Sequence, residues 1–251
     1  MRIFNSIRKA LLNENKFSRY MVYALGEIFL VVIGIFMGLQ ANKWNEINLK
    51  HDKVLNYLTR IDAELNLTEQ LIEHNMDVGY HIIEDLSSCL SQIAENRIDS
   101  TFAVKFKTIS ENDAQTLFFP VVDEFLNQGY LTAIKDTLML ESFNLLNYNR
   151  QQSQVDDQQF VNFHNQIVMP KLMNKLNYLQ VDYMNFESER FKLKELNFTN
   201  FRHNDYTKIA QDLEIWNLVI YRIDLEKNRI LVNKNLLGSM SKIQKRIALS
   251  H

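Results

Sequence analysis

The residues from Tyr20 to Gln40 read YMVYALGEIFLVVIGIFMGLQ, and this stretch decides the architecture that the sequence predicts. At 1.5 Å per residue, a helix of this length spans about 32 Å, close to the ~30 Å hydrocarbon core of a bilayer. Glu27 is its one charged residue. A central charge costs about 2.5–3.5 kcal/mol, whereas each Leu, Ile, Phe or Val favours insertion by about 0.3–0.6 kcal/mol. We therefore predict a transmembrane helix over residues 20–40.

A cleaved signal peptide is the alternative interpretation of this segment. The apolar core of a signal peptide is shorter, at about 7–15 residues, and ends at a small-residue cleavage site. The stretch after Gln40 shows no convincing site of that kind. A buried helix of a soluble protein would carry a polar stripe. The sequence therefore favours a retained membrane anchor.

The charges that flank the anchor predict its orientation. The N-terminal side carries Arg8, Lys9, Lys16 and Arg19, and the other side carries Lys43, Lys50 and Lys53. By the positive-inside rule, this balance favours a cytoplasmic N-terminus and a domain outside the cytoplasm. We predict a single-pass protein of the inner (cytoplasmic) membrane. It would comprise a basic segment (1–19), the transmembrane helix (20–40) and a periplasmic domain (41–251).

The basic segment has an amphipathic pattern of its own. Ile3, Phe4, Ile7 and Leu11 fall on one helical face, with basic residues beside them. This arrangement is typical of a helix that lies on an anionic leaflet. A frayed cytoplasmic tail is the open alternative.

One face of the predicted transmembrane helix combines small and polar residues. At 100° per residue, the following positions lie within about 40° of one line: Tyr20, Tyr23, Glu27, Gly34, Gly38, Ala41 and Asn45. Gly34 and Gly38 form a GxxxG pair, a spacing that allows two helix backbones to approach closely. Since an ionisable group rarely faces lipid, Glu27 strengthens the interpretation. We predict that the protein forms a homo-oligomer through this face.

Glu27 itself has two interpretations. In the structural one, its carboxyl group forms hydrogen bonds that hold neighbouring helices together. In the other, several copies line a path for protons or cations. Trp44, just beyond the span, is typical of an aromatic anchor at the membrane interface, and simple packing is its alternative.

Composition predicts that the rest of the chain is all-α. The sequence has six glycines and two prolines, and three of the glycines lie in the apolar segment. Sheet-rich folds need more turn residues than that. Cys89 is the single cysteine, so it has no partner for an intrachain disulfide. A formal charge of −2 gives no indication of nucleic acid as a partner.

A long helical seam follows the anchor. Steps of three and four residues give fourteen positions, of which ten are apolar or cysteine: Ile47, His51, Val54, Leu58, Ile61, Leu65, Thr68, Ile72, Asn75, Gly79, Ile82, Leu86, Cys89 and Ile93. This seam predicts a stalk helix that continues the anchor, with a possible break near Gly79. A coiled-coil stalk and an ordinary bundle helix both have this pattern.

The later segments predict shorter elements. Phe102, Val104 and Phe106 alternate with other residues, which predicts a short strand or extended segment. Pro120 is expected to begin a helix that Gly129 ends. Asp136 is expected to cap the next helix, which runs through Leu146.

The C-terminal part is predicted to be mostly helical. A helical pattern resumes near Phe160, Pro170 breaks or kinks it, and residues 190–205 are expected to form a loop. The helix from Tyr206 to Leu249 has a seam of its own: Leu225, Val232, Leu236, Met240, Ile243 and Ile247. We expect this helix to pack antiparallel to the stalk in an elongated helical bundle.

The run FSRYMVYALGEIFLVVIGIFMGLQANKWNE, from Phe17 to Glu46, resembles the start of a family of uncharacterised bacterial membrane proteins common in Bacteroidota, the domain of unknown function numbered 6090. Gly26–Glu27 and Asn42 to Glu46 match that family's pattern. The run FLNQGYLTAIKDTLMLESFNLLNYN is similar to a second segment, although Tyr130 after Gly129 departs from the usual Gly-Leu pair. The resemblance implies an anchor and a helical domain, and it implies no activity.

No catalytic motif is present among the nucleotide-binding, nucleophile-elbow and zinc-protease patterns. His74, Asp77, His81 and Glu84 have a spacing that a metal site could use, but a solvated polar face is the favoured interpretation. We expect neither cofactor nor metal. The predicted function is non-enzymatic assembly or binding of an unknown protein partner at a lipid membrane. The alternative is an oligomeric ion or proton channel that uses Glu27.

Overall fold

The computed structural model describes residues 17–111, 117–177 and 203–250, and each regular element in these ranges is a helix. The predicted all-α fold class is therefore confirmed. In chain order the α-helices are α1 (Phe17–Ala94), α2 (Phe102–Phe106), α3 (Pro120–Asn127), α4 (Thr137–Phe163), α5 (Met169–Lys175), α6 (Tyr206–Ala210) and α7 (Leu213–Ser250). Two 3₁₀ helices cover Lys107–Ser110 and Tyr130–Ala133, and a π-helix covers His164–Val168. The chain divides between Asn56 and Tyr57 into two compact units.

The helix α1 is continuous through Gly79, so the break that was considered there does not occur. A Cβ atom built on Gly79 would lie 3.3 Å from Ile230 Cδ1 of α7. The missing side chain therefore allows α7 to approach closely, and it does not serve to bend the helix.

The seam predicted along α1 is buried from Val54 onward. Every seam position from Val54 to Ile93 is buried except Asn75, which is half-buried, whereas Ile47 and His51 are exposed. Ile82, Leu86, Cys89 and Ile93 belong to one core cluster that also contains residues of α2, α4, α5 and α7. From Val54 onward the seam thus packs within the chain itself, as the bundle-helix alternative predicts.

The helix α7 runs antiparallel to α1 in the second unit, as predicted. Gln244 Nε2 donates to Asn66 Oδ1 at 3.0 Å, and Ile230 lies against Gly79. Residue numbers therefore decrease along α7 in the direction in which they increase along α1, as in any antiparallel pair of helices. The predicted seam of α7 is buried as well, apart from the half-buried Val232.

The strand predicted around Phe102 is wrong. Residues Phe102–Phe106 form α2, in which Phe102 and Phe106 are buried and Val104 is 70% exposed. A spacing of four residues also places two side chains on one helical face. The two rings stack with centroids 5.5 Å apart, and this contact requires the helical arrangement.

The interruption predicted before Phe160 is also wrong, because α4 is unbroken from Thr137 to Phe163. Its polar middle section still has an inward face, made by Asn149 and Ser153. Asn149 Nδ2 donates to the backbone oxygen of Asn235 on α7 at 3.1 Å. Apolar periodicity disappears there because buried polar side chains take the inward positions.

Local chemistry defines the ends of α3 and α4. Pro120 is the first residue of α3, and Gly129 beyond its end has a positive φ of 69°. The start of α3 is capped from another helix: Glu64 of α1 accepts the backbone N–H groups of Val121 at 2.8 Å and Val122 at 3.0 Å. Asp136 caps α4 as predicted. The carboxylate of Glu64 therefore fixes α3 to α1 as well as capping it.

Pro170 does not end the helical path. It is the second residue of α5, directly after the π-helix His164–Val168. Proline lacks an N–H donor and crowds the carbonyl one turn earlier, and the wider π turn relieves this contact. The helix predicted from Tyr206 is divided into α6 and α7 at Gln211 and Asp212. The predicted basic segment up to residue 16 and most of the predicted loop (190–202) lie outside the described residues.

We predict that Glu64→Ala lowers the free energy of unfolding by about 1–2 kcal/mol, because two backbone N–H groups of α3 lose a charged acceptor. Urea unfolding of the full chain in detergent, followed by circular dichroism, measures this change. Glu73→Ala, at an exposed position of α1, is the control and should change stability by less than about 0.5 kcal/mol. Equal effects of the two variants would contradict the capping role.

Candidate functional site

The predicted anchor residues lie on the surface of α1 in the first unit. Glu27 is exposed, and no described atom lies within 4 Å of a Cβ built on Gly34 or Gly38, apart from the neighbouring turns of the helix. Trp44 is 69% exposed. In the described part of the chain, α1 is the one helix that is long and apolar enough to cross a membrane. None of the described residues therefore covers the face that carries Glu27, Gly34 and Gly38.

The histidine and carboxylate residues considered for a metal do not come together in a metal site. His74, Asp77, His81 and Glu84 are all exposed on α1. Within the described ranges, no three His, Cys, Asp or Glu side chains meet in a way that would hold a metal ion.

The most unusual chemistry lies inside the second unit, where charged side chains are buried between helices. Arg222 is fully buried, and Glu226 is 1% exposed. Arg222 Nη2 lies 3.0 Å from Glu226 Oε1, and Arg229 Nη1 lies 3.0 Å from the same oxygen. Glu226 therefore sits between two guanidinium groups of its own helix, one turn away on either side.

The helix α4 completes this arrangement. Asp157 Oδ1 lies 3.8 Å from Arg229 Nε. The ring of Phe160 contacts both guanidinium groups, with centroid distances of 4.1 Å to Arg222 and 4.8 Å to Arg229. Cation–π contacts of this kind are strengthened when the cation is desolvated.

The helix α1 contributes Asn75 and Gly79, two consecutive seam positions without an apolar side chain. Glu226 Oε2 lies 3.3 Å from a Cβ built on Gly79. Asn75 lines a cavity of about 10 Å³ together with Asp157 and Arg229. We call the whole set the polar layer: Asn75 and Gly79 of α1, Asp157 and Phe160 of α4, and Arg222, Glu226 and Arg229 of α7.

The geometry of the polar layer limits what it does chemically. Its two guanidinium groups are balanced by the carboxylates of Glu226 and Asp157. The adjoining cavity of about 10 Å³ has the volume of about one water molecule. Arg222 Nη2 also donates to the backbone oxygen of Glu111 at 3.3 Å, which extends the layer beyond the three helices. The layer thus joins helices and offers no space for a substrate in this conformation.

Asp156 lies at the edge of the same cavity. Burial raises the pKa of this carboxyl group, and the nearby Arg229 opposes the shift. Asn228 Nδ2 donates to Asp156 Oδ2 at 3.0 Å. The burial penalty on its charged form marks Asp156 as a local source of instability near neutral pH.

A buried histidine lies in the π-helix. His164 Nε2 is 2.9 Å from the backbone oxygen of Ser110, and Nδ1 is 2.9 Å from Asn165 Oδ1. A backbone carbonyl oxygen only accepts hydrogen bonds, so Nε2 is the donor toward Ser110. The imidazole thereby ties the π-helix to the 3₁₀ helix Lys107–Ser110, which is a structural use of this side chain.

Cys89 is unsuited to nucleophilic chemistry. It is fully buried in the core cluster, and burial raises the pKa of its thiol to about 12. The reactive thiolate is therefore scarce at neutral pH.

A groove of about 790 Å³ runs between α4, the π-helix and α7. It has an apolar floor and a rim of amide side chains, and none of its described lining residues carries a charge, a thiol or an imidazole. These residues are Val155, Gln158, Gln159, Asn162, Phe163, Gln166, Ile167, Asn217, Leu218 and Tyr221. Tyr221 is the one titratable residue among these lining residues, and the groove has the composition of a packing surface.

The polar layer was not predicted from the sequence, although one signal was present. At 100° per residue, Arg222, Glu226 and Arg229 lie within about 40° of Met240, at the centre of the apolar face of α7. Three charges on an apolar face indicate a buried ionic cluster or a break in the seam. Asp157 on α4 gave no such signal, because the apolar periodicity of that helix is already lost there.

Comparison with known proteins adds no relative: no family profile, no curated protein and no solved structure matches the chain. The resemblance described for residues 17–46 therefore stays a prediction.

We predict that Asp156→Asn stabilises the protein at pH 7 and not at pH 3. A raised pKa means that the folded state holds the proton more firmly than the unfolded state does. The ionised Asp156 therefore weakens the fold above the raised pKa, and this penalty disappears below about pH 4, where the carboxyl is protonated in both states. Urea unfolding at the two pH values measures the difference.

Asp224→Asn is the matched control for this experiment, because Asp224 is exposed on α7. It should leave stability unchanged at both pH values. Loss of stability in Asp156→Asn at pH 7 would show that attraction to Arg229 outweighs the burial penalty.

Proposed function

We propose that this protein is a single-pass membrane protein whose helical domain assembles or binds a protein partner, without enzymatic activity. One observation carries the proposal. From Met21 to Leu39, α1 has many exposed large apolar side chains, and their exposed fractions range from 44% to 69%. Further along, the same helix buries its apolar seam. Burying one such side chain is worth about 1.5–3 kcal/mol. A lipid bilayer supplies the missing cover for all sides of this segment.

The proposed orientation places the N-terminus in the cytoplasm and the domain in the periplasm. It is supported by the larger number of basic residues before the span than after it, which the positive-inside rule weights most strongly close to the membrane. The exposed Trp44 suits the membrane interface in either orientation.

Self-association is the second part of the proposal. Glu27, Gly34 and Gly38 share one face of α1, and the described chain leaves that face uncovered. A carboxyl group that faces lipid alone is unfavourable, whereas a second helix at this face provides it with a hydrogen-bonding partner. The glycines allow the two backbones to approach closely enough for that contact.

The non-enzymatic role is proposed from the polar layer, the groove and the thiol. The buried charges of the polar layer adjoin a cavity of about one water molecule, and Tyr221 is the one titratable residue among the described lining residues of the groove. A separate cleft of about 680 Å³ is lined by His203, Asp205, Lys208 and Asp212, and it is where a catalytic site would be sought if activity were found. The thiol of the domain is buried in the core. Such a domain is equipped for contact with other molecules through its surface.

We predict that Gly34→Ile and Gly38→Ile weaken self-association by about tenfold or more, because the added side chains separate the backbones; tenfold corresponds to about 1.4 kcal/mol. Fluorescence energy transfer between labelled copies in lipid vesicles measures the change. Gly26→Ile is the matched control, since Gly26 lies about 90° away from the face. A wild-type protein that is monomeric at every protein-to-lipid ratio would refute self-association.

Glu27→Gln separates the structural proposal from an ion or proton channel. We predict that this variant still associates, since an amide forms hydrogen bonds as well, and that vesicles with either protein show no proton or cation flux. A pH-sensitive dye inside the vesicles reports proton flux. Flux through the wild type that is lost in Glu27→Gln would instead assign a conducting role to the carboxylate.

A further inference from the structure

We propose that the polar layer fixes the axial register between α1, α4 and α7, so that the helices of the domain pack in one arrangement only. All the residues involved lie in the second unit, so this role of the polar layer is independent of the proposed membrane function. From Leu58 to Ile93 the seam of α1 is apolar except at Thr68, Asn75, Gly79 and Cys89.

Thr68 and Cys89 do not specify a partner helix. Thr68 Oγ1 donates to the backbone oxygen of Glu64 within α1, at 2.9 Å. Cys89 packs as an apolar side chain in the core cluster. Asn75 and Gly79 differ, because each is adjacent to charged side chains of another helix. The seam therefore has one point at which its chemistry is distinct.

An apolar seam alone specifies register weakly. Leu, Ile and Val positions repeat every three or four residues, so a slide by one turn brings similar side chains together again. A seam position that accommodates the polar groups of a partner helix removes this degeneracy, because it matches one place along that helix. On α1, Gly79 leaves space for the carboxylate of Glu226, and the half-buried Asn75 lines the small cavity beside Arg229.

A slide of α1 by one turn would break the polar layer in either direction. In one direction, Ile82 would replace Gly79 beside the carboxylate of Glu226, where even a Cβ atom would approach Oε2 to 3.3 Å. In the other direction, Ile72 would replace Asn75 at the small cavity lined by Asp157 and Arg229. Either slide would press an apolar side chain against buried charge.

The helix α4 is held in the same way. Asp157 approaches Arg229, and the ring of Phe160 lies against both guanidinium groups. One turn of displacement would remove these partners from the buried cations. At the polar layer, α1, α4 and α7 therefore fit together in one axial register.

Buried ionic groups add little net stability, because desolvation offsets most of their attraction, and in some proteins they select one packing arrangement instead. The inference thus makes two linked claims. Replacing the charges of the layer together by uncharged side chains of similar size should preserve or raise stability. The same replacement should release the register.

The test uses the full chain in detergent and pairs of engineered cysteines joined by a short thiol-to-thiol crosslinker. Asn66→Cys with Gln244→Cys reports the native register, because these two side chains are hydrogen-bonded. Asn66→Cys with Ala248→Cys reports a slide by one turn. Both pairs are made in the wild-type layer and in a variant that carries Arg222→Met, Glu226→Leu, Arg229→Met and Asp157→Asn.

We expect the wild-type layer to crosslink the native pair only. The uncharged layer should crosslink both pairs at comparable rates, with a urea midpoint equal to or above that of the wild type. Met240→Leu with Ile243→Leu is the matched control, since it alters buried seam positions of α7 outside the layer. It should crosslink the native pair only.

Two results would overturn the inference. An uncharged layer that still crosslinks only the native pair would show that the register is set elsewhere. An uncharged layer that fails to fold, or whose midpoint falls well below that of the control, would show that the charges hold the domain together and do not select among packings.

Discussion

The domain depends on the antiparallel packing of α1 against α7. These are the two longest helices of the described chain, and each buries one seam in the second unit. The other helices share an apolar core cluster with them, and a few directional contacts join them as well. Glu64 caps α3 from α1, and Asn149 of α4 reaches a backbone oxygen of α7. Long apolar seams supply most of the burial, while the directional contacts decide where the short elements sit.

The polar layer is the exception within that packing. Burying Arg222 and Glu226 almost completely is unfavourable unless both are paired, and the structure pairs Glu226 with two guanidinium groups and places Phe160 against both of these. Gly79 is part of the same arrangement, since a larger residue there would displace the carboxylate of Glu226. A glycine in the middle of a long helix costs stability by itself. The close approach of Glu226 and Ile230 explains why a glycine lies at position 79.

The first unit presents the opposite physical situation. From Met21 to Leu39, α1 is apolar on nearly all sides, and most of its large side chains are exposed among the described residues. From Leu58 onward, the seam of α1 is buried against other helices of the second unit. The hydropathy pattern of α1 therefore changes along its length from apolar on nearly all sides to apolar on one face.

Local signals were sufficient where a structure depends on nearby residues. The apolar span, the seam of α1 from Val54, the start of α3 at Pro120 and the cap at Asp136 all follow from spacing and side-chain chemistry within a few residues. The same signals failed at Phe102–Phe106, because five residues satisfy a period of two as well as a spacing of four. They failed again in the middle of α4, where inward polar residues erase the apolar period.

The sequence by itself therefore determined the helical class, the apolar span and the faces of the two long helices, because periodicity records burial along a single element. Only the tertiary structure decided which charges are buried and with whom. Arg229 meets Asp157, and Glu226 meets Gly79, across large separations in the chain. Arg222 and Arg229 pair with Glu226 within α7. Asp157 and the space left by Gly79, however, come from other helices. Burial of these charges depends on such neighbours, and no local pattern specifies them.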